Sequence, residues 1–349
     1  MSQSPTFRVK LTGDFYDEAG HPKFPQMGLD VLDDASHIGY ESFAEHHAEI
    51  GTDQVADAQG VIVLSPQVTA QTVSQADELL AVGRFGVGYD TVDVEACTEA
   101  NVVTFITAGA VDRSVAEATV GWMIALTHHV RAKDLLVRQG LWTDRSQYMG
   151  CELRHRTFGA VGLGGIARAA IGLLDSFTMN PPLAFDPYVC RDVAKSIGTT
   201  LVPLDDLMAQ ADFVSVHCPL TDATHGLIGA AQIARMKPTA YLLNTARGGI
   251  VDEDALYDAL KHNRIAGAAI DCFVDEPVTS NHRFSDLDNV LLAPHAIAWT
   301  NEMFGDIGRA VCGGMVDLSL GRQPRGVLNP QVFDKPKFID KWRRHQHEG

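Results

Sequence analysis

Residues 157–174 read TFGAVGLGGIARAAIGLL, and this stretch constrains the fold more than any other. A short apolar run ends in the glycines Gly162, Gly164 and Gly165, and an alanine-rich run suited to a helix follows. A strand that turns this tightly into a helix belongs to a βαβ unit, and such units build parallel sheets. Gly162 permits the tight turn. Gly164 lets the backbone approach an anion, which rests on the free N–H groups around Gly165 and Ile166 where the helix opens. Ala167 fills the place where helix and strand pack together.

A bare glycine turn is the alternative, and the context argues against it. Asp186 closes the next apolar run, LAFDP, 24 residues after Gly162. An acid about 20 residues beyond such a loop accepts hydrogen bonds from ribose hydroxyls. A lengthened turn at MNPP (179–182) accounts for the extra residues. The same acid repels a 2′-phosphate, so the expected cofactor is NAD and not NADP.

The alternation continues along the chain. FRVKLTG, GVIVLS and VVTFIT read as strands before the glycine loop; LAFDPYV, DFVSVHCP, AYLLNTA, GAAIDCF and NVLLAPH read as strands after it. Most are continuous apolar runs, as expected of strands covered on both faces. TAQTVSQADELLAVG reads as a helical stretch. Residues 114–137 read as one long helix, with Ser114 as N-cap and Glu117 completing a capping box. The ending KFIDKWRRHQHEG reads as a tail or a surface helix. A chain of 349 residues accommodates two domains. The expected fold class is α/β, with two domains and parallel sheets.

Charge and cysteine usage exclude several classes. A net charge of −16 opposes nucleic-acid binding, which needs a basic face. An anionic ligand therefore needs local arginines or backbone N–H groups. The six cysteines are scattered with no C-x-x-C pair, which suits reduced thiols in the cytoplasm. The first residues lack the apolar core of a signal peptide, and no uncharged run is long enough to span a membrane. His46–His47 and His128–His129 have no further ligands at zinc spacing, so no metal is expected.

The chemistry gathers at later strand ends. Arg247 follows a strand and precedes two glycines; an arginine there can grip a carboxylate through two parallel hydrogen bonds. Pairing with one of the acids that follow is the other reading. Asp271 is placed within a strand, Glu276 in the loop after it, and His295 at the end of the next strand. An arginine, an acid and a histidine beside a nicotinamide site form a hydride-transfer set.

With these residues in place, the chain resembles the D-isomer-specific 2-hydroxyacid dehydrogenase family, particularly its phosphoglycerate dehydrogenase-like members. GRFGVGYDTVDVEACTEANV, RSVAEATVGWMIAL, VSVHCPLTDATHGLIG, MKPTAYLLNTARGGIVDEDAL and DCFVDEP carry the likeness, in that order. The resemblance implies two Rossmann-like domains: a discontinuous substrate domain (1–112 and 308–349) and an NAD-binding domain (113–307). It implies a homodimer acting on a small anionic 2-hydroxy or 2-oxo acid. Arg247 is similar to the arginine that binds the substrate carboxylate, His295 to the acid–base, and Glu276 to its partner. Gly86, Val87 and Gly88 resemble the substrate-carboxylate loop. Asp271 is similar to the residue that holds the nicotinamide amide, and His217, Pro219 and Thr245 match positions lining the cofactor. The readings from other classes are a non-catalytic NAD-sensing scaffold, or a dehydrogenase of phosphite or formate.

Departures from the family pattern bear on the substrate. Leu64 stands where phosphoglycerate-type members carry an arginine, which makes 3-phosphoglycerate doubtful and leaves Arg84 either as a phosphate contact or as a residue that only packs or pairs locally. Gly165 stands where an arginine is common. Ala296, Ala298 and Trp299 follow the histidine in place of two glycines. The insertion at 14–28 either reaches the active-site cleft or covers the surface, the second being the preferred reading. No regulatory domain follows the nucleotide domain, so serine feedback is not expected.

Overall fold

The structure, a computed structural model, describes residues 7–347. It divides into two compact units, residues 1–111 with 299–349 and residues 112–298. The return crossing falls between Ala298 and Trp299, earlier than the expected seam at 307/308.

The first unit holds a five-stranded parallel sheet. Its strands are β1 (Phe7–Leu11), β2 (Ile38–Ser42), β3 (Gly60–Val63), β4 (Ala81–Arg84) and β5 (Val103–Ile106), in the order β2-β1-β3-β4-β5. Every residue of β3 is buried, which accounts for the unbroken apolar run GVIV. The helix expected through TAQTVSQADELLAVG does not form. Only Ala70–Val73 is helical, and the run ends in β4. Leu79, Leu80, Ala81 and Val82 are almost fully buried because β4 lies between β3 and β5. Central placement overrides helix propensity there.

Helix Asn301–Ser319 packs on this sheet. Gly83 faces Phe105, Val311 and Met315 so closely that a Cβ would lie within 3 Å of each. Fully burying a ring such as Phe105 contributes about 1.5–3 kcal/mol. The chain's end is no loose tail. Helix Pro336–Arg344 docks with Phe338 buried, the Trp342 indole N–H donating to Leu318 O at 2.7 Å, and the Lys341 ammonium donating to Leu79 O. The 14–28 insertion is also more than surface cover. Asp14 accepts from the Ser65 N–H at 2.9 Å, Phe15 is buried edge-on against Phe85, and Phe24 stacks on Phe304.

The second unit holds a seven-stranded parallel sheet. Its strands are β6 (Phe158–Val161), β7 (Leu183–Phe185), β8 (Thr200–Leu201), β9 (Phe213–Val216), β10 (Tyr241–Asn244), β11 (Gly267–Ile270) and β12 (Val290–Leu292). The order is β12-β11-β10-β9-β6-β7-β8. The order reverses between β6 and β9, and in open α/β sheets ligands bind beyond the carboxyl ends of the strands at such a point.

The long helix expected over 114–137 is two helices, Asp112–Thr127 and Val130–Arg138. The carbonyl of Thr127 accepts from the Cys151 N–H at 3.0 Å instead of continuing the helical ladder, and His129 adopts a left-handed φ of 53°. The first helix begins at Asp112, so Ser114 lies within it and is not its N-cap. Glu117 pairs instead with Arg113.

Candidate active site

The glycine loop joins β6 to helix Gly165–Leu174. Gly162 has φ of 95°, and a Cβ on it would lie 2.8 Å from Cys218 N and 2.9 Å from His217 C. Both its conformation and its packing therefore require glycine. Nothing lies within 4 Å of where a Gly164 Cβ would stand, so the backbone there faces open space. Alanine at Gly162 is expected to cost about 1–3 kcal/mol of stability, as strained backbone does, and to weaken dinucleotide binding. A denaturant midpoint and an NADH fluorescence titration check this; wild-type values in both would show that the loop tolerates a side chain.

Around the loop stand the other expected cofactor residues. Asp186 directly follows β7, and its carboxylate accepts from Leu163 N at 2.8 Å and from Tyr188 N at 2.9 Å. It thus ties the glycine loop to the end of β7. His217 follows β9 beside Gly162, and its Nε2 is buried with no hydrogen-bond partner. The Thr245 hydroxyl, just beyond β10, is orphaned in the same way. Pro219 is exposed nearby in the chain, its carbonyl taking the Thr224 hydroxyl at 2.6 Å. Two orphaned polar atoms and an open glycine loop at the switch point fit a dinucleotide, since buried polar groups are otherwise paired.

Burial pushes the His217 pKa down to about 4. The ring therefore stays neutral in the fold while it protonates near pH 6.5 in the unfolded chain. Stability from this residue is complete above about pH 6.5 and is lost as pH falls toward 4. Melting temperatures should fall across that window more steeply than in His217→Gln. Parallel declines would show that the ring is not a buried neutral base.

Arg247, Glu276 and His295 all belong to the second unit. Arg247 lies in the turn after β10, where the Asn244 side-chain amide donates to its carbonyl at 2.9 Å. Gly248 packs against the backbone of Phe273 so tightly that a Cβ would overlap Phe273 O. This contact brings the Arg-Gly-Gly turn against the loop that carries Glu276. The Glu276 carboxylate accepts from Phe273 N at 2.8 Å and from His295 Nδ1 at 2.7 Å. Burial alone would raise the Glu276 pKa, but the hydrogen bonds from His295 and Phe273 and the nearby charge of Arg247 outweigh it, so the carboxyl lies below its ordinary value. Because an ionised carboxylate only accepts, Nδ1 is the donor.

His295 adopts a left-handed φ of 53°. A non-glycine residue persists there only where its surroundings hold it. Asp271 does so: its carbonyl accepts from His295 N at 2.8 Å, and its carboxylate from Ala296 N at 2.9 Å and Ile297 N at 3.2 Å. Asp271 stands just past β11 and not within a strand, and burial raises the pKa of its carboxyl.

The first unit carries Arg84, Gly86, Val87 and Gly88 at the end of β4. Gly86 has φ of 135°, its N–H bonds to Arg84 O at 2.9 Å, and its carbonyl accepts from Thr107 N at 3.1 Å. The Arg84 guanidinium folds back on Phe85 O. Trp299 presents a half-exposed ring, edge-on to Phe24 at 5.8 Å and to Phe304 at 5.2 Å.

The geometry can now be set beside known proteins. The model of the D-isomer specific 2-hydroxyacid dehydrogenase NAD binding domain matches residues 120–296, a span that includes the glycine loop, Arg247, Glu276 and His295. The chain belongs to the D-2-hydroxyacid dehydrogenase family. It is 38% identical over 288 residues to the D-3-phosphoglycerate dehydrogenase of Methanocaldococcus jannaschii, covering 82% of this chain and 53% of that one. The chain thus spans about half the length of the curated phosphoglycerate dehydrogenases it matches. A glyoxylate reductase of Korarchaeum cryptofilum is 32% identical over 315 residues, covering 89% of this chain and 95% of that one. Among solved structures, a glyoxylate reductase from Paecilomyes thermophila aligns with a TM-score of 0.80 at 22% identity, over 94% of this chain and 100% of that one. That likeness speaks for the fold.

Two neighbours of these residues escape a reading of the sequence. A Cβ on Gly165 would overlap the Asp112 carboxylate, whose pKa burial raises, so the acid occupies the space a side chain at 165 would need. Cys272 is buried beside Glu276 and His295, its thiol donating to Ala246 O at 3.3 Å. Only the departure at Gly165 hinted at the first. Nothing in the local spacing signals the second. Among the described residues, no helix is long and apolar enough to cross a membrane.

Proposed function

We propose that the protein is an NAD-dependent D-2-hydroxyacid dehydrogenase that reduces a small 2-oxo acid, or oxidises the matching hydroxy acid. The observation that carries this reading is the 2.7 Å hydrogen bond from His295 Nδ1 to Glu276, on a histidine whose left-handed backbone is held by Asp271. Bound NADH supplies the hydride. His295, as imidazolium, delivers the Nε2 proton to the developing alkoxide and so is the acid–base of the reaction. Glu276 fixes the ring by accepting its Nδ1 hydrogen bond. Arg247 grips the substrate carboxylate through two parallel hydrogen bonds. In the reverse direction neutral His295 accepts the proton.

Gly162, Gly164, Gly165 and Ile166 cradle the pyrophosphate, Asp186 takes the ribose hydroxyls, and His217, Pro219 and Thr245 line the nicotinamide end, with Asp271 on its amide. In this reading the 112–298 unit is the cofactor domain and the other unit the substrate domain of a homodimer. A panel of glyoxylate, hydroxypyruvate, pyruvate, 3-phosphohydroxypyruvate and longer sugar acids, each with NADH, tests the reaction and names the substrate. Arg84 is folded onto Phe85 O and Leu64 supplies no charge, so an unphosphorylated acid should be preferred. Absence of NADH oxidation with every acid would remove the proposal.

A further inference from the structure

Cys272, Glu276 and His295 each offer a metal-ligating atom, and these three atoms lie within 4.8 Å of one another. Sequence spacing does not announce the set: the residues follow β11, a connecting loop and β12, and tertiary packing brings them together. A thiolate, a carboxylate and an imidazole form a donor set suited to a borderline-soft divalent cation. Zinc takes such ligands at about 2.0–2.3 Å, which puts tetrahedral ligand atoms roughly 3.3–3.8 Å apart. His295 Nδ1 and Glu276 Oε2, now 2.7 Å apart, would need to separate by about 1 Å, while the sulfur already lies within 4.8 Å of both. A small cavity lined by Asn244, Gly248, Gly249, Glu253 and Ile270 reaches Cys272.

We propose that Cys272, Glu276 and His295 form an inhibitory site for a thiophilic divalent cation of the Zn²⁺ type. The cation takes the place of the proton between His295 and Glu276, and Cys272 supplies the third protein ligand. On binding, the thiol releases its proton to solvent, and so does an imidazolium if one is present. The metal-bound imidazole is neutral and gives up its Nε2 proton far less readily than an imidazolium does, so protonation of the alkoxide is suppressed. The inhibitory consequence rests on the acid–base role proposed for His295; the binding itself does not.

Cys272 is assigned no role in the hydride-transfer reading, so it can be changed with His295 and Glu276 both kept. Cys272→Val keeps an apolar side chain of similar size, and Cys272→Ala serves if the larger group disturbs folding. Co²⁺ titration of the metal-free full chain, read by the thiolate-to-cobalt band in the near ultraviolet, should show one site per chain that both variants lose. With a 2-oxo acid and NADH, Zn²⁺ should inhibit the wild type, and a chelator should restore it. The concentration for half-inhibition should rise at least about tenfold in Cys272→Val, since loss of even an outer partner of a metal ligand costs 10–100-fold in affinity. Turnover without zinc should be unchanged. Equal zinc sensitivity in wild type and variants, or no thiolate–cobalt band in the wild type, would overturn the site. If no acid is reduced at all, the functional reading fails while the cobalt titration still decides the metal site.

Discussion

Replacing His295 by alanine is expected to lower turnover on the preferred 2-oxo acid by about 10²–10⁴-fold, the usual contribution of a positioned acid or base. NADH affinity should be unchanged, because no cofactor contact is assigned to the ring. The loss is in kcat as well as in kcat/KM, since proton donation strengthens only as the alkoxide develops. Alanine also leaves the Glu276 carboxylate without its 2.7 Å donor, although Phe273 N still serves the other oxygen. The fold should survive, as the side chain is half exposed. Steady-state kinetics beside an NADH titration make the comparison. Near wild-type turnover with intact NADH binding would remove His295 from the chemistry.

Arg247→Gln is expected to lower kcat/KM for the same acid on the order of 10²–10³-fold, within the range for truncating one partner of a desolvated, hydrogen-bonded charge pair. Most of the loss should appear in KM if the guanidinium grips the carboxylate equally in the ground and transition states. Lysine should rescue poorly, because a point charge cannot reproduce two parallel hydrogen bonds. The electrostatics add a signature. Arg247 helps to hold the Glu276 carboxyl below its ordinary pKa, so the variant's acid limb should move up in pH. A variant with unchanged KM and an unshifted profile would place Arg247 outside the substrate site.

Much of this arrangement was legible in the residues. The glycine loop, Asp186, and the positions of Arg247 and His295 beyond strand ends could be read because each follows from local backbone demands. A positive φ at Gly162 needs glycine, and an apolar run that stops at a charged residue marks where a strand leaves the sheet. Local patterns misled where neighbours distant in sequence decide. TAQTVSQADELLAVG has helical composition, yet its last residues form β4 because β3 and β5 flank them. The 114–137 run is helical throughout in composition, yet Cys151, far along the chain, takes the Thr127 carbonyl and the helix breaks. KFIDKWRR reads as a tail or a surface helix; it is the helix, and only packing shows that Phe338 is buried and that the Lys341 ammonium donates to Leu79 O.

The sequence by itself determined the family, the α/β class and which residue types stand at the strand ends, because motif order and strand-end placement are properties of the chain. Tertiary structure alone decided what surrounds those residues. It put Asp112 in the space beside Gly165, set the Phe24–Phe304 stack beside Trp299, and brought the Cys272 thiol to the Glu276–His295 pair. Each of these depends on contacts between segments far apart in the chain, and packing at crystal-like density assigns such contacts only when the whole core is assembled.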